Sequence, residues 1–328
     1  MSSSTRVLIH PSQFPDQVRR DLLASLRTRR VNPKFHYDSI KQTQKWLALH
    51  QAFSPSRHDA DCRAVYAKSF QAAAAQIKNS LVHLIGLGCG GGQKDTRLLK
   101  LLLAPGRKLF YTPSDVSVAM VLVARQTALA VVPASNCKPM VCDLATAGDL
   151  PAVLAALAAP QAARLLTFFG MIPNFEPGAI LPKLAALLRA DDQLLFSANL
   201  APGADYAAGL EKILPQYDNP PTRDWLLTFL LDLGIERRDG RLRFVIENGP
   251  GGGGLKRVVA YFDFLRARRV GIENRSVDFV GGDSIRLFFS YRYTPDRVCA
   301  LLERHGLVAR ESWITRSEEE GVFLVGRN

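Results

Sequence analysis

Leu84-Ile85-Gly86-Leu87-Gly88-Cys89-Gly90-Gly91-Gly92-Gln93 closes a short apolar run, residues 81–87, and opens a helical stretch over 95–103. Glycines let a backbone turn sharply and approach a ligand with no Cβ in the way. The helix start beyond them supplies unpaired N–H groups. Gly86, Gly88 and Gly91 match G-x-G-x-x-G spacing, with Gly90 among them. Further along, strand patterns at 108–113, 139–142, 164–169 and 193–199 alternate with helical patterns at 116–130, 150–158 and 177–189. Short apolar strands alternating with helices mean a parallel sheet covered on both faces. Asp115, at the end of the second strand, is placed to bind ribose hydroxyls. Nicotinamide and S-adenosylmethionine sites share both features, so the loop points to a nucleotide-like ligand without choosing one. A structural turn alone is the plainer alternative.

The end of the chain breaks the alternation. Residues 284–293 (SIRLFFSYRY) have strand composition, 294–307 form a helix with Pro295 near its start and Gly306 as a stop, and two strands follow at 308–314 and 321–325. A β-hairpin closing an otherwise parallel sheet is unusual for dehydrogenases and typical of class I methyltransferases, by analogy of fold. Two further positions favour S-adenosylmethionine. Cys142-Asp143-Leu144 ends the third strand, where an acid can accept from an adenine amino group. The stretch 167–175 ends the fourth, with polar Asn174 near the carboxyl ends of the strands.

Composition sets outer bounds. The 328 residues are 47% hydrophobic and 22% charged, ordinary for a globular chain and enough for about two domains. No apolar run reaches ~18 residues without a charge or breaker, and Val7-Leu8-Ile9 is too short for a signal-peptide core, so a cytoplasmic address is expected. Five cysteines without C-x-x-C spacing and six histidines without ligand spacing predict reduced thiols and no metal. The net charge of +12 lies in two segments: residues 1–60 and 237–275 each carry ten Lys/Arg against four Asp/Glu. The arginines at 237–243 and 266–269, with no aromatic-interleaved binding motif, read as a solvated face, and a nucleic-acid groove is the lesser alternative.

At several stretches the chain resembles the histidine Nα-methyltransferase family of ergothioneine biosynthesis, whose relatives include fungal enzymes that methylate a prenylated tryptophan. The stretches are Asn32-Pro33-Lys34-Phe35-His36-Tyr37-Asp38-Ser39, Phe53-Ser54-Pro55-Ser56-Arg57, the glycine loop through Asp95-Thr96-Arg97, and Tyr111 through Ser117. Cys142-Asp143-Leu144, Phe169 through Asn174, Gln216-Tyr217-Asp218-Asn219 and Phe279 through Tyr293 continue the match. The resemblance implies that Gly86, Gly88 and Gly90 hold the methionine part of S-adenosylmethionine, that Asp115 binds ribose, and that Asp143 and Leu144 meet adenine. It implies that Asn174 and Tyr217 hold the substrate's carboxylate and that Tyr37 lines the same pocket. Four positions depart from the family. Gly86 replaces an acid, Phe53 a pocket tyrosine, Val258 a methionine, and Phe288 the glutamate that grips the imidazole. Ser290 keeps a small hydroxyl two residues beyond Phe288, on the same strand face.

The expectation is an α/β fold: a seven-stranded, Rossmann-like class I methyltransferase sheet with a terminal β-hairpin, formed by 61–200 and 284–328. An auxiliary α+β substrate lobe would come from 1–60 and 201–283. The expected activity is methyl transfer from S-adenosylmethionine to the amine of an amino acid or a related small molecule, with an aromatic side chain favoured over histidine. A nicotinamide-dependent oxidoreductase, an RNA-binding methyltransferase and a catalytically silent relative are the alternatives. The expected assembly is a monomer or homodimer.

Overall fold

The computed structural model describes residues 4–157 and 161–328; the expected helix end at residue 158 lies outside them. In chain order the strands are β1 (Leu8–Ile9), β2 (Leu81–Leu87), β3 (Lys108–Asp115), β4 (Met140–Val141), β5 (Ala163–Phe168) and β6 (Gln193–Asn199). Then come β7 (Gly240–Asn248), β8 (Lys256–Phe264), β9 (Arg268–Ile272), β10 (Arg275–Phe279), β11 (Ser284–Tyr291), β12 (Leu307–Ile314) and β13 (Glu320–Arg327).

Eight strands form the main sheet in the order β1-β4-β3-β2-β5-β6-β13-β12. The pairings from β1 to β6 are parallel, while β13 runs antiparallel to both β6 and β12. The expected terminal hairpin is therefore present, with β13 inserted beside β6. Successive residues of the central strands enter different cores. Leu84, Leu165 and Leu195 pack under the helices Ala60–Gln76 and Gln93–Leu102, whereas Ile85, Leu166 and Leu194 pack with Leu184 of Pro177–Leu187. Both faces are apolar, as a sheet covered on both sides requires. The chain leaves β2 for β3 and β4, then returns to β5 on the other side of β2. That switch opens a crevice at the carboxyl ends of the strands.

Two details correct the expected division. The sheet gains an eighth strand from β1, whose backbone joins β4 through Leu8 N–H to Pro139 O at 3.0 Å and His10 N–H to Val141 O at 2.9 Å. So the start of the chain is not purely auxiliary. Residues 284–291, assigned to the main sheet, lie in a separate antiparallel sheet ordered β11-β8-β7. Phe288, with Ala260 and Phe262 of β8, packs toward Trp225 and Phe229 of the helix Pro220–Asp232. Phe289 and Tyr291 face the main-sheet core instead. Strand β11 thus has one face on each body, and its outer edge bridges to Arg30 at Arg286.

The basic segment after residue 236 is largely neutralised locally. Arg266 and Arg268 both pair with the fully buried Asp239, Arg269 with Asp278, and Arg243 with Asp263. Among the described residues no helix is long and apolar enough to cross a membrane.

Candidate active site

A cavity of about 1550 Å³ opens above β2, β3 and β5 and runs to β11. Its floor is the glycine loop. Gly88 and Gly90 take φ of 67° and 51°, left-handed conformations that disfavour side chains. A Cβ on Gly88 would run into the Met171 side chain, and one on Gly90 would meet Trp46 Cη2 at 3.2 Å. Met171 and Trp46 therefore lie close over the loop.

Asp115 ends β3 at this floor. Its Oδ2 accepts from Gly90 N–H and its Oδ1 from Ser117 N–H, both at 3.1 Å. Each oxygen keeps a lone pair for another donor. Burial pushes its carboxyl up to about 6, opposed by those backbone hydrogen bonds. Asp143 is buried; its Oδ1 accepts from Ala145 N–H at 2.9 Å, while Oδ2 has no hydrogen-bond partner. The Lys34 ammonium lies 3.6 Å from that Oδ2 and is itself held by Asp21 at 2.5 Å. An adenine amino group would satisfy Oδ2. A diol acceptor, an orphaned acid and a loop free of side chains together fit S-adenosylmethionine.

Gly86 departs from the expected role. It lies inside β2 and does not line the cavity; a Cβ there would overlap the Asp95 carboxylate. Asp95, on the helix after the loop, accepts from Tyr111 at 2.7 Å and Thr167 at 2.8 Å. Burial pushes it up to about 6. The space that a side chain at position 86 would need is thus filled from the next helix. Val258 also falls outside: it is fully buried in β8 opposite Ser290, without reaching the cavity.

The remaining expected residues line the cavity. Tyr37 lies between two indoles, 5.9 Å from Trp46 and 5.5 Å from Trp225 by ring centroids. Burial, and then the charge of Asp115, push the Tyr37 phenol upward, so it stays neutral. Phe288 touches Trp225 edge-on at 5.8 Å and Tyr217 at 6.3 Å. The Trp225 indole N–H is already donated to His36 O at 2.8 Å. Phe53 ends the helix Ile40–Phe53 and is 55% exposed, so it stands at the mouth and not across the pocket. Leu144 borders the floor. Asn174 donates through Nδ2 to Phe289 O at 2.7 Å, binding the outer edge of β11 to the turn that follows β5. Tyr217 donates to Ser290 Oγ at 2.8 Å and accepts from Arg292 Nε at 3.0 Å.

Trp46, Trp225, Asp95 and Arg292 were not singled out from sequence. Trp46 stands seven residues before Phe53 on one helix, a spacing that places both on one face.

A parallel sheet with an inserted antiparallel strand, with a glycine loop, Asp115 and Asp143 lining a cavity at its strand ends, is the architecture of a class I S-adenosylmethionine-dependent methyltransferase. The profile described as "Histidine-specific methyltransferase, SAM-dependent" matches residues 18–223. The chain belongs to that family, and its cofactor is S-adenosylmethionine. No curated protein matches the sequence. Solved structures similar to the chain include the magnesium protoporphyrin IX methyltransferase of Synechocystis PCC 6803 with bound S-adenosylhomocysteine. It is 15% identical, with 90% of this chain and 98% of that one covered and a TM-score of 0.46. The 1,6-didemethyltoxoflavin-N1-methyltransferase of Burkholderia thailandensis is 10% identical, with 100% and 93% covered and a TM-score of 0.41.

Proposed function

We propose that this enzyme methylates the α-amine of an amino acid with an aromatic side chain, and that histidine is a poor substrate. The observation that carries the reading is the wall formed by Phe288, Trp225, Tyr37 and Tyr217, with Phe288 where the family has its imidazole-binding glutamate. A phenyl ring offers no acceptor to an imidazole N–H, and an unpaired buried donor costs roughly 1–3 kcal/mol. The same wall gains burial and ring contacts from an aromatic side chain, worth about 0.5–1.5 kcal/mol beyond area alone.

S-adenosylmethionine supplies a sulfonium methyl that is already activated for in-line displacement. The chain's own residues need only hold a neutral amine in line and exclude water. Asp115 and Asp143 fix the nucleoside, and the glycine loop with Met171 encloses the methionine chain. Asn174 anchors the carboxylate directly and Tyr217 does so through Ser290, and the neutral phenol of Tyr37 helps position the amine. We assign cofactor binding to 61–200 with the hairpin, and substrate binding to 1–60, 201–283 and β11. The test is a screen of the twenty amino acids for methyl transfer, read by S-adenosylhomocysteine release and product mass. Tryptophan or a substituted tryptophan is expected to lead. Activity confined to histidine would overturn the assignment.

A further inference from the structure

Two buried arginines stand near β11, and their partners differ. Arg257 is 5% exposed and is paired with Glu176 and Glu247 at 2.8 and 2.6 Å. Arg292 is 7% exposed and lines the cavity, yet its hydrogen bonds go to neutral groups. Its Nε donates to Tyr217 Oη at 3.0 Å, and its Nη1 to Leu200 O at 3.1 Å and Glu319 O at 3.5 Å. A buried cation whose partners are all neutral leaves an uncompensated charge at the cavity wall, a costly arrangement unless an anion arrives.

The chain of donors has one direction. A guanidinium only donates, so the Tyr217 hydroxyl accepts from Arg292. Its single proton then goes to Ser290 Oγ, at 2.8 Å. Ser290 is an acceptor in that bond, so its own proton points away from Tyr217. Ser290 is 2% exposed and lines the cavity. The arginine therefore turns a two-way hydroxyl into a fixed donor.

Given the amino-acid reading above, on which this inference rests, we propose that Arg292 is a positioning residue. It acts through Tyr217 to fix Ser290 as a hydrogen-bond donor to the substrate's carboxylate, and its charge makes the site select that carboxylate. The selectivity then rests on an element that the aromatic wall does not supply.

The experiment measures binding of tryptophan and of tryptamine, its decarboxylated form, by calorimetry on protein saturated with S-adenosylhomocysteine. The parent is expected to prefer tryptophan. Arg292→Met is expected to lose about tenfold to a hundredfold in tryptophan affinity, the range for a hydrogen bond to a charged group. Tryptamine and S-adenosylhomocysteine affinities should hold. Ser290→Ala should lower the preference, and Arg292→Lys should restore part of it. Equal losses for both compounds, or an unchanged preference in Arg292→Met, would overturn the proposal alone. A parent that binds tryptamine as tightly as tryptophan also overturns it, while leaving the aromatic pocket standing. A parent that binds neither overturns the amino-acid reading and this inference with it.

Discussion

In the proposed site, Asp115 is the residue on which cofactor affinity should turn. Each of its oxygens accepts one backbone N–H, and the lone pairs that remain face the cavity floor. Asp115→Ala is expected to weaken S-adenosylhomocysteine binding at least tenfold, since a charge-assisted hydrogen bond contributes about 1.5–3 kcal/mol. Undiminished affinity by calorimetry in a folded variant would contradict the ribose assignment. The raised carboxyl, at about 6, sets a pH window. The native state holds this proton more tightly than the unfolded chain, so between about pH 4 and 6 the carboxyl's contribution to stability falls as pH rises. Cofactor binding runs the other way, because the ionised form is the better acceptor. Affinity for S-adenosylhomocysteine should rise from pH 5 to pH 7.5, by up to about tenfold. A flat profile would place the ribose contact elsewhere.

At the scale of elements, two segments decide whether the site is assembled. The glycine loop packs on the helix Val118–Ala128: a Cβ on Gly92, where φ is 71°, would lie 2.7 Å from Ala124 Cα. Backbone cannot yield as a side-chain tip can, so Gly92→Ala should destabilise by about 1–3 kcal/mol. A fall of several degrees in Tm checks it. The second segment is β11 with its anchors. Asn174→Ala removes the bond to Phe289 O, and Tyr217→Phe breaks the link from Arg292 to Ser290. Both should lower turnover and leave S-adenosylhomocysteine affinity intact; full activity in both would remove the carboxylate anchor.

These elements also show what sequence could and could not reveal. The parallel core was legible because each strand is a short apolar run followed by a helix of different period. The hairpin was legible from the two strand patterns at 308–314 and 321–325, and Asp115 and Asp143 from their places at strand ends. The residues 284–291 were legible as a strand but not as a member of the smaller sheet, because pairing with β8 is non-local and both faces of β11 are buried. β1 has two residues, too few for any period. Asp95 meets Gly86 only once the helix folds back over β2, and one-dimensional spacing carries no trace of that contact.

For the whole molecule, charge and shape point to a small ligand. The net +12 is concentrated at 1–60 and 237–275, yet in the second segment Arg266, Arg268, Arg269, Arg243 and Arg257 all have carboxylate partners. RNA association at low salt should therefore be negligible by fluorescence anisotropy. A steep fall of binding with salt would instead reveal phosphate contacts. The large sheet presents the proposed cofactor residues at its strand ends, and β11 with the helices Ile40–Phe53 and Pro220–Asp232 lines the proposed substrate side with aromatic rings. Substrate choice should follow that closing wall. Its most direct test is kcat/KM for tryptophan and histidine in the parent and in Phe288→Glu. The account predicts that the parent favours tryptophan and that the glutamate variant shifts toward histidine by about tenfold or more, the range of one buried donor regaining its partner. Strong histidine methylation by the parent, or a preference untouched by Phe288→Glu, would contradict it.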